Sequence, residues 1–112
     1  MAILNVNYSD LNLEDMAGAI GLKVKHMPML IGSFLDESKT IMDNLENAIQ
    51  TLSFSDIKSN AHSIKGSSGN LKFQAIYEMA REVELSAQDE DENFEYMAHF
   101  QAIKEAIATI PN

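Results

Sequence analysis

Residues 59–70 read SNAHSIKGSSGN, and how they fold decides the architecture. The stretch carries His62, then Lys65 one turn later, then Gly66 and Gly69. Glycine and serine at this density are respectable loop composition, and a glycine inside a helix costs about 1 kcal/mol relative to alanine. A break here would make the stretch a helix end running into a linker. A continuous helix gives a different picture. At about 100° per residue, Ile57, Ile64 and Leu71 fall together with Ala61 and Ser68 beside them, which makes a buried side. That stripe lies roughly 140–180° from His62, whereas Lys58, Lys65, Gly66 and Gly69 fall within about 60° of it. If the helix continues, His62 is exposed and stands mid-helix between two lysines and two residues with no side chain.

The flanking sequence favours long helices. Two prolines and five glycines in 112 residues leave few breaks. A short helix can begin after Asn12, a good N-cap, with Glu14 and Asp15 in its first turn and Gly21 to stop it. Its apolar side is Leu13, Met16, Ala17 and Ile20. Pro28 belongs near a helix start. From there Leu30, Ile31, Phe34, Leu35, Ile41, Met42, Leu45, Ile49 and Leu52 recur at helical spacing. Asp36, Glu37, Lys39, Asp43, Glu46 and Gln50 form the polar face of this rod, roughly 37 Å long at about 1.5 Å per residue. The next helix starts at Ser53 or Ser55 and carries His62. A fourth shows Phe73, Ile76, Tyr77, Ala80, Val83 and Ala87 on one side. A fifth begins around Asp91 or Glu92, turns Phe94, Met97, Phe100, Ile103, Ile107 and Ile110 inward, and ends at Pro111. No segment alternates with a period of two. The expected fold is all-α: an antiparallel four-helix bundle with a short additional N-terminal helix, one domain over residues 1–112. The seven methionines lie on the apolar stripes as core filling.

Composition narrows the function classes. A formal charge of −9 argues against nucleic acid and against an anionic membrane surface, and points to a protein partner. The absence of cysteine excludes disulfides and thiolate metal sites. The stretch MAILNVNYSDL lacks the basic start and long apolar run of a secretory signal, and no run of about eighteen apolar residues occurs, so a cytoplasmic protein is expected. The acidic run at residues 89–92, DEDE, reads as a solvated turn. His26, His62 and His99 are far apart in sequence, which argues against a metal site. His26 and His99 read as surface or interfacial residues without a chemical role.

A neutral imidazole nitrogen is a competent nucleophile near neutral pH, because free histidine titrates around 6.5. Attack of His62 on an activated phosphoryl group would give a covalent phosphohistidine. Lys65 could oppose protonation of the ring and then steady the phosphoryl oxygens. Bare Gly66 and Gly69 would let another molecule approach closely. Lys58, Lys65 and Lys72 are three of only eight basic residues. A polar-face histidine is more often an ordinary surface residue, and spacing alone does not separate the two readings. Ser67 or Ser68 beside His62 lacks an orienting partner for a hydrolase.

The segment AHSIKGSSGNL, residues 61–71, resembles the signature of histidine-containing phosphotransfer (HPt) domains, in which a histidine is followed by an apolar residue, Lys, Gly and small residues. SFLDESKTIMDNLENAI is similar to the family's long preceding helix, and AIYEMAREVE to the helix after the motif. The resemblance implies a four-helix bundle and a phosphorelay intermediate without independent turnover, not an enzyme. It makes His62 the phosphoacceptor, phosphorylated by a receiver-domain aspartyl phosphate or a sensor histidine kinase and donating to a receiver aspartate. Lys65 would correspond to the supporting lysine and Gly66 to the glycine under the partner's active site. Ser67 would hold a commonly small position, and Glu84 a frequent acidic one, orienting Lys65 or the imidazole. It implies no cofactor of this chain's own, the magnesium arriving with the receiver. Two places depart from the family pattern: Lys72 stands where glycine often follows the motif's leucine, and the first helix matches only loosely.

The same bundle could instead be a non-catalytic adaptor that binds a receiver or kinase without accepting phosphate, although retention of both His62 and Lys65 speaks against it. A kinase dimerisation domain would need a two-helix hairpin and a second copy. One long rod followed by three shorter helices fits a monomer better. The Met1 start and the Pro111-Asn112 ending fit a small stand-alone protein.

Overall fold

The computed structural model describes residues 3–112. Its helices are α1 (Leu13–Ile20), α2 (Met27–Gln50), α3 (Phe54–Asn70), α4 (Gln74–Gln88) and α5 (Tyr96–Ala108), with a single 3₁₀ turn, Val24–His26, leading into α2. No strand forms among the described residues. The helix α3 is continuous through residues 59–70, so the central stretch is not a linker. Helices α2 to α5 close a ring in which α2 packs on α3 and α5, and α4 packs on α3 and α5. The α3–α4 pair is the most closely packed.

Each start follows from local chemistry. The Asn12 side chain accepts a hydrogen bond from the Asp15 amide at 3.0 Å, capping α1, and Glu14 and Asp15 face its positive end. Pro28 occupies the first turn of α2, where no intrahelical donor is needed. Ser53, not Ser55, stands at the cap of α3, with its hydroxyl donating to Asp56 at 3.0 Å.

The ends of α1 to α4 share one device. An amide just past the helix reaches back five residues to a carbonyl in the last turn, and the residue before that amide adopts the left-handed conformation. Gly21 does this after α1 at φ 72°. After α2, α3 and α4 the same position holds Leu52, Lys72 and Glu90, at φ 49°, 63° and 53°. The return bonds are Ser53 to Ala48, Phe73 to Ser68 and Asp91 to Ser86, at 2.9, 2.9 and 3.0 Å. Lys72 therefore occupies the left-handed corner that glycine takes at low cost, which is the physical content of its departure from the family pattern.

Two boundaries differ from expectation. The rod ends at Gln50, and Leu52 is exposed at the corner instead of continuing the apolar stripe. Helix α5 begins at Tyr96, four to five residues later than the acidic run suggested. The Asp91 side chain is engaged by the Asn93 amide at 2.9 Å, and the Asp91 carbonyl accepts from the Tyr96 hydroxyl at 2.8 Å, so these residues build a turn. Ile110 packs into the core from beyond the end of α5.

The core is one cluster, centred on Phe73, Met27, Ile31, Leu45, Ile57, Ile64, Ile76, Met79 and Ile103. Burying each such side chain contributes about 1.5–3 kcal/mol. All five residues assigned to the inner side of α3 are buried. Phe73 joins three parts of the chain, its ring lying 5.3 Å from Phe34 of α2 and 4.9 Å, edge on, from Tyr8. The Tyr8 amide also donates to the Thr109 hydroxyl at 2.8 Å, tying the N-terminal segment to the end of α5.

Candidate functional site

With Ile57, Ile64 and Ser68 fixed in the core, α3 can present its opposite face only to solvent. The His62 side chain is 67% exposed, as the wheel requires. Its Nδ1 lies 2.8 Å from Oε2 of Glu84, and the other carboxylate oxygen, Oε1, lies 2.7 Å from Nζ of Lys65. One carboxylate on α4 thus holds both polar residues of the α3 motif. Glu84 can reach because it lies on the inward edge of α4, between buried Ala80 and Ala87, with its side chain only 11% exposed. Lys65 spans the same junction and is 24% exposed.

The electrostatics follow from this pairing. Burial alone would push the Glu84 carboxyl upward. Hydrogen bonds from Lys65 and then His62, reinforced by the charge of Lys65, together outweigh burial and hold it below the ordinary carboxylate value. Glu84 is therefore an anion at neutral pH. A carboxylate can only accept, so in the neutral ring the hydrogen sits on Nδ1 and the Nε2 lone pair is left free. In that form the exposed Nε2, beside a fixed carboxylate and an ammonium group, is a nucleophile with charge support on the far side of the ring.

The two glycines have different surroundings. A Cβ placed on Gly66 would meet nothing within 4 Å, so nothing inside the chain calls for glycine there. A Cβ on Gly69 would come 3.1 Å from the Tyr77 ring of α4, which gives Gly69 a packing reason inside the chain. Ser67 donates to Glu37 of α2 at 3.1 Å, a tie between α2 and α3. Lys58 lines a shallow depression with Ser55, Ser59, His62, Ser63 and Glu84.

The remaining histidines are elsewhere. His26 is exposed at the start of α2 and makes no capping bond. His99, read from sequence as a surface or interfacial residue, is 4% exposed. Its Nδ1 lies 3.0 Å from the Glu95 carbonyl and its ring 4.4 Å from that of Phe94. Its position three residues after Tyr96 and four before Ile103 is the inward signal in the sequence. That Glu84 needs a partner was within reach of pattern reading, since an acid between Ala80 and Ala87 on an apolar face calls for a cation.

Among the described residues no group of three or more His, Asp or Glu side chains could hold a metal ion, and no helix is long and apolar enough to cross a membrane. A family model described as Hpt domain matches residues 29–112, which takes in α2 to α5 and leaves α1 outside. Searches of curated proteins and of solved structures found no match.

Proposed function

Because the chain belongs to the Hpt domain family, modules with a phosphotransfer role in two-component signalling, we propose that His62 is its phosphoacceptor. His62 receives the group from a receiver aspartyl phosphate or from a sensor kinase and returns it to a receiver aspartate. The observation that carries this reading is the exposed ring of His62 with Nδ1 held by Glu84 and Nε2 free. In the forward step the Nε2 lone pair attacks phosphorus and an N–P bond forms. The P–O bond breaks, and its electron pair leaves on the aspartate carboxylate. Positive charge then develops on the ring, 2.8 Å from the Glu84 carboxylate. Lys65 lies one turn further along and serves the phosphoryl oxygens once the group arrives. Gly66 leaves the surface beside the ring bare, so a receiver active site can close over it. The metal ion that such a receiver uses comes with the receiver, and the chain acts as a monomeric cytoplasmic carrier without turnover of its own.

Incubation with a phosphorylated receiver, or with a phosphodonor kinase, tests the reading. Acid-labile label should appear on the wild-type chain and be absent from His62→Gln. No label, or undiminished label in the variant, sinks it.

A further inference from the structure

Attack by neutral His62 leaves a phosphorylated ring that still carries the Nδ1 hydrogen, and its fate decides what the chain does with the group. If Nδ1 keeps its proton, the ring leaves in the next transfer as a neutral imidazole, a good leaving group. If the proton is lost, the ring would have to leave as an anion, and the phosphoryl group is stored instead of passed on. We propose that Glu84 is a positioning residue that retains the Nδ1 proton on phosphorylated His62 and so keeps the group in its transferable form. The inference rests on the phosphoacceptor reading above and adds what Glu84 does after the group has arrived.

Three observations carry it. The Oε2–Nδ1 contact is 2.8 Å, within charge-assisted hydrogen-bond range. The carboxylate is mostly shielded while the ring is mostly open, so Glu84 is held in place and Nε2 is free to exchange the group. The second oxygen, Oε1, is engaged by Lys65 at 2.7 Å. That engagement couples the two residues. A phosphoryl group on Nε2 offers Lys65 a second anion, and any shift of the ammonium toward it leaves the whole carboxylate charge for the ring proton. Arrival of the group thus tightens the hold on the proton that its departure needs. The charged groups facing His62 are Glu84 from α4 and Lys58 and Lys65 from its own helix, and the rest of the depression is lined by Ser55, Ser59 and Ser63. Only Glu84 favours the protonated ring.

The test uses the full chain phosphorylated on His62 with phosphoramidate and followed by ³¹P NMR from pH 5 to 9, alongside transfer to a receiver domain. In E84Q the amide oxygen still accepts from Nδ1, so ring orientation survives and only the charge is lost. The titration midpoint of the phosphorylated ring should fall by about one pH unit. Above both midpoints, transfer should then be about tenfold slower and the label correspondingly longer-lived. Lys65→Met keeps the carboxylate and removes its competitor, so its midpoint should rise. An unchanged midpoint in E84Q, with transfer lost evenly at every pH, would show that Glu84 only orients the ring and would overturn the proposal. If E84Q does not fold, Lys65→Met decides, and a fall in its midpoint overturns the proposal. Absence of label on His62 in wild type defeats the phosphoacceptor reading itself, a failure distinct from any change of midpoint.

Discussion

His62 and His99 are satisfied through the same ring atom and yet belong to different chemistries. Each directs Nδ1 at a glutamate, His62 at the side-chain carboxylate of Glu84 (2.8 Å) and His99 at the backbone carbonyl of Glu95 (3.0 Å). The His99 Nε2 is buried without a hydrogen-bond partner, and its ring lies against Phe94. The His62 side chain stands in solvent, with a cation one turn along its own helix and an anion reaching it from α4. An imidazole serves as core or as nucleophile according to whether its second nitrogen is reachable and whether a charge waits behind the ring. The α3–α4 junction supplies both conditions, and the first turn of α5 supplies neither.

The comparison breaks most sharply at the histidines themselves. His62→Gln should abolish acid-labile label while leaving the thermal midpoint nearly unchanged, as expected for an exposed residue. His99→Ala should do the reverse, with label retained below the melting temperature and stability lowered by about 2–3 kcal/mol in urea titration, through loss of buried volume. Label lost from His99→Ala while the chain is still folded would erase the distinction. Lys65→Ala should retain His62 as the labelled residue and slow transfer about tenfold, because one charged donor to the phosphoryl group is gone.

Acidification sharpens the same contrast. The Glu84 carboxyl is held below its unfolded value, so its contribution to stability is complete above the ordinary carboxylate range and is lost as pH falls through the folded value. Stability measured on a descending pH series should therefore decline more gently in E84Q than in wild type. An equally steep decline would mean that the pairing with Lys65 and His62 adds nothing to the fold.

The smallest effects concern glycine. It stands inside α3 at Gly66, where it disfavours helix, and is missing from three left-handed corners where it would help. Gly66→Ala should stabilise the chain by about 1 kcal/mol, since the added methyl meets nothing. A larger side chain, Gly66→Leu, should slow transfer to a receiver without lowering the melting temperature. Lys72→Gly should raise stability by about 1 kcal/mol by relieving the corner. No gain at Lys72 would mean that the corner is not strained.

Much of this was legible in the sequence, for reasons that can be named. The apolar stripe of Ile57, Ile64 and Leu71 determined where His62 points, because helical geometry leaves one angle per residue. Asn12, Gly21 and Pro28 marked their boundaries by chemistry that acts locally. The corners at Leu52, Lys72 and Glu90 were not legible, because the return hydrogen bonds come from the backbone and no glycine announces them. The start of α5 was hidden by acids that suit a helix N-terminus equally well but are engaged in a turn. Glu84 could be picked out as a residue of interest. That one carboxylate serves both His62 and Lys65 depends on how closely α3 and α4 pack, which no single-helix pattern contains.

The hydrogen bond from Tyr8 to Thr109 joins residues 101 positions apart. It makes the bundle topologically a loop whose two ends meet at one patch. A domain fused ahead of Tyr8 and another fused after Thr109 would leave from the same place, so the bundle could hang as a side pendant on a longer chain. A direct peptide link across that patch would give a circular permutant, and new ends could then be opened at the exposed corner of Leu52 without cutting a helix.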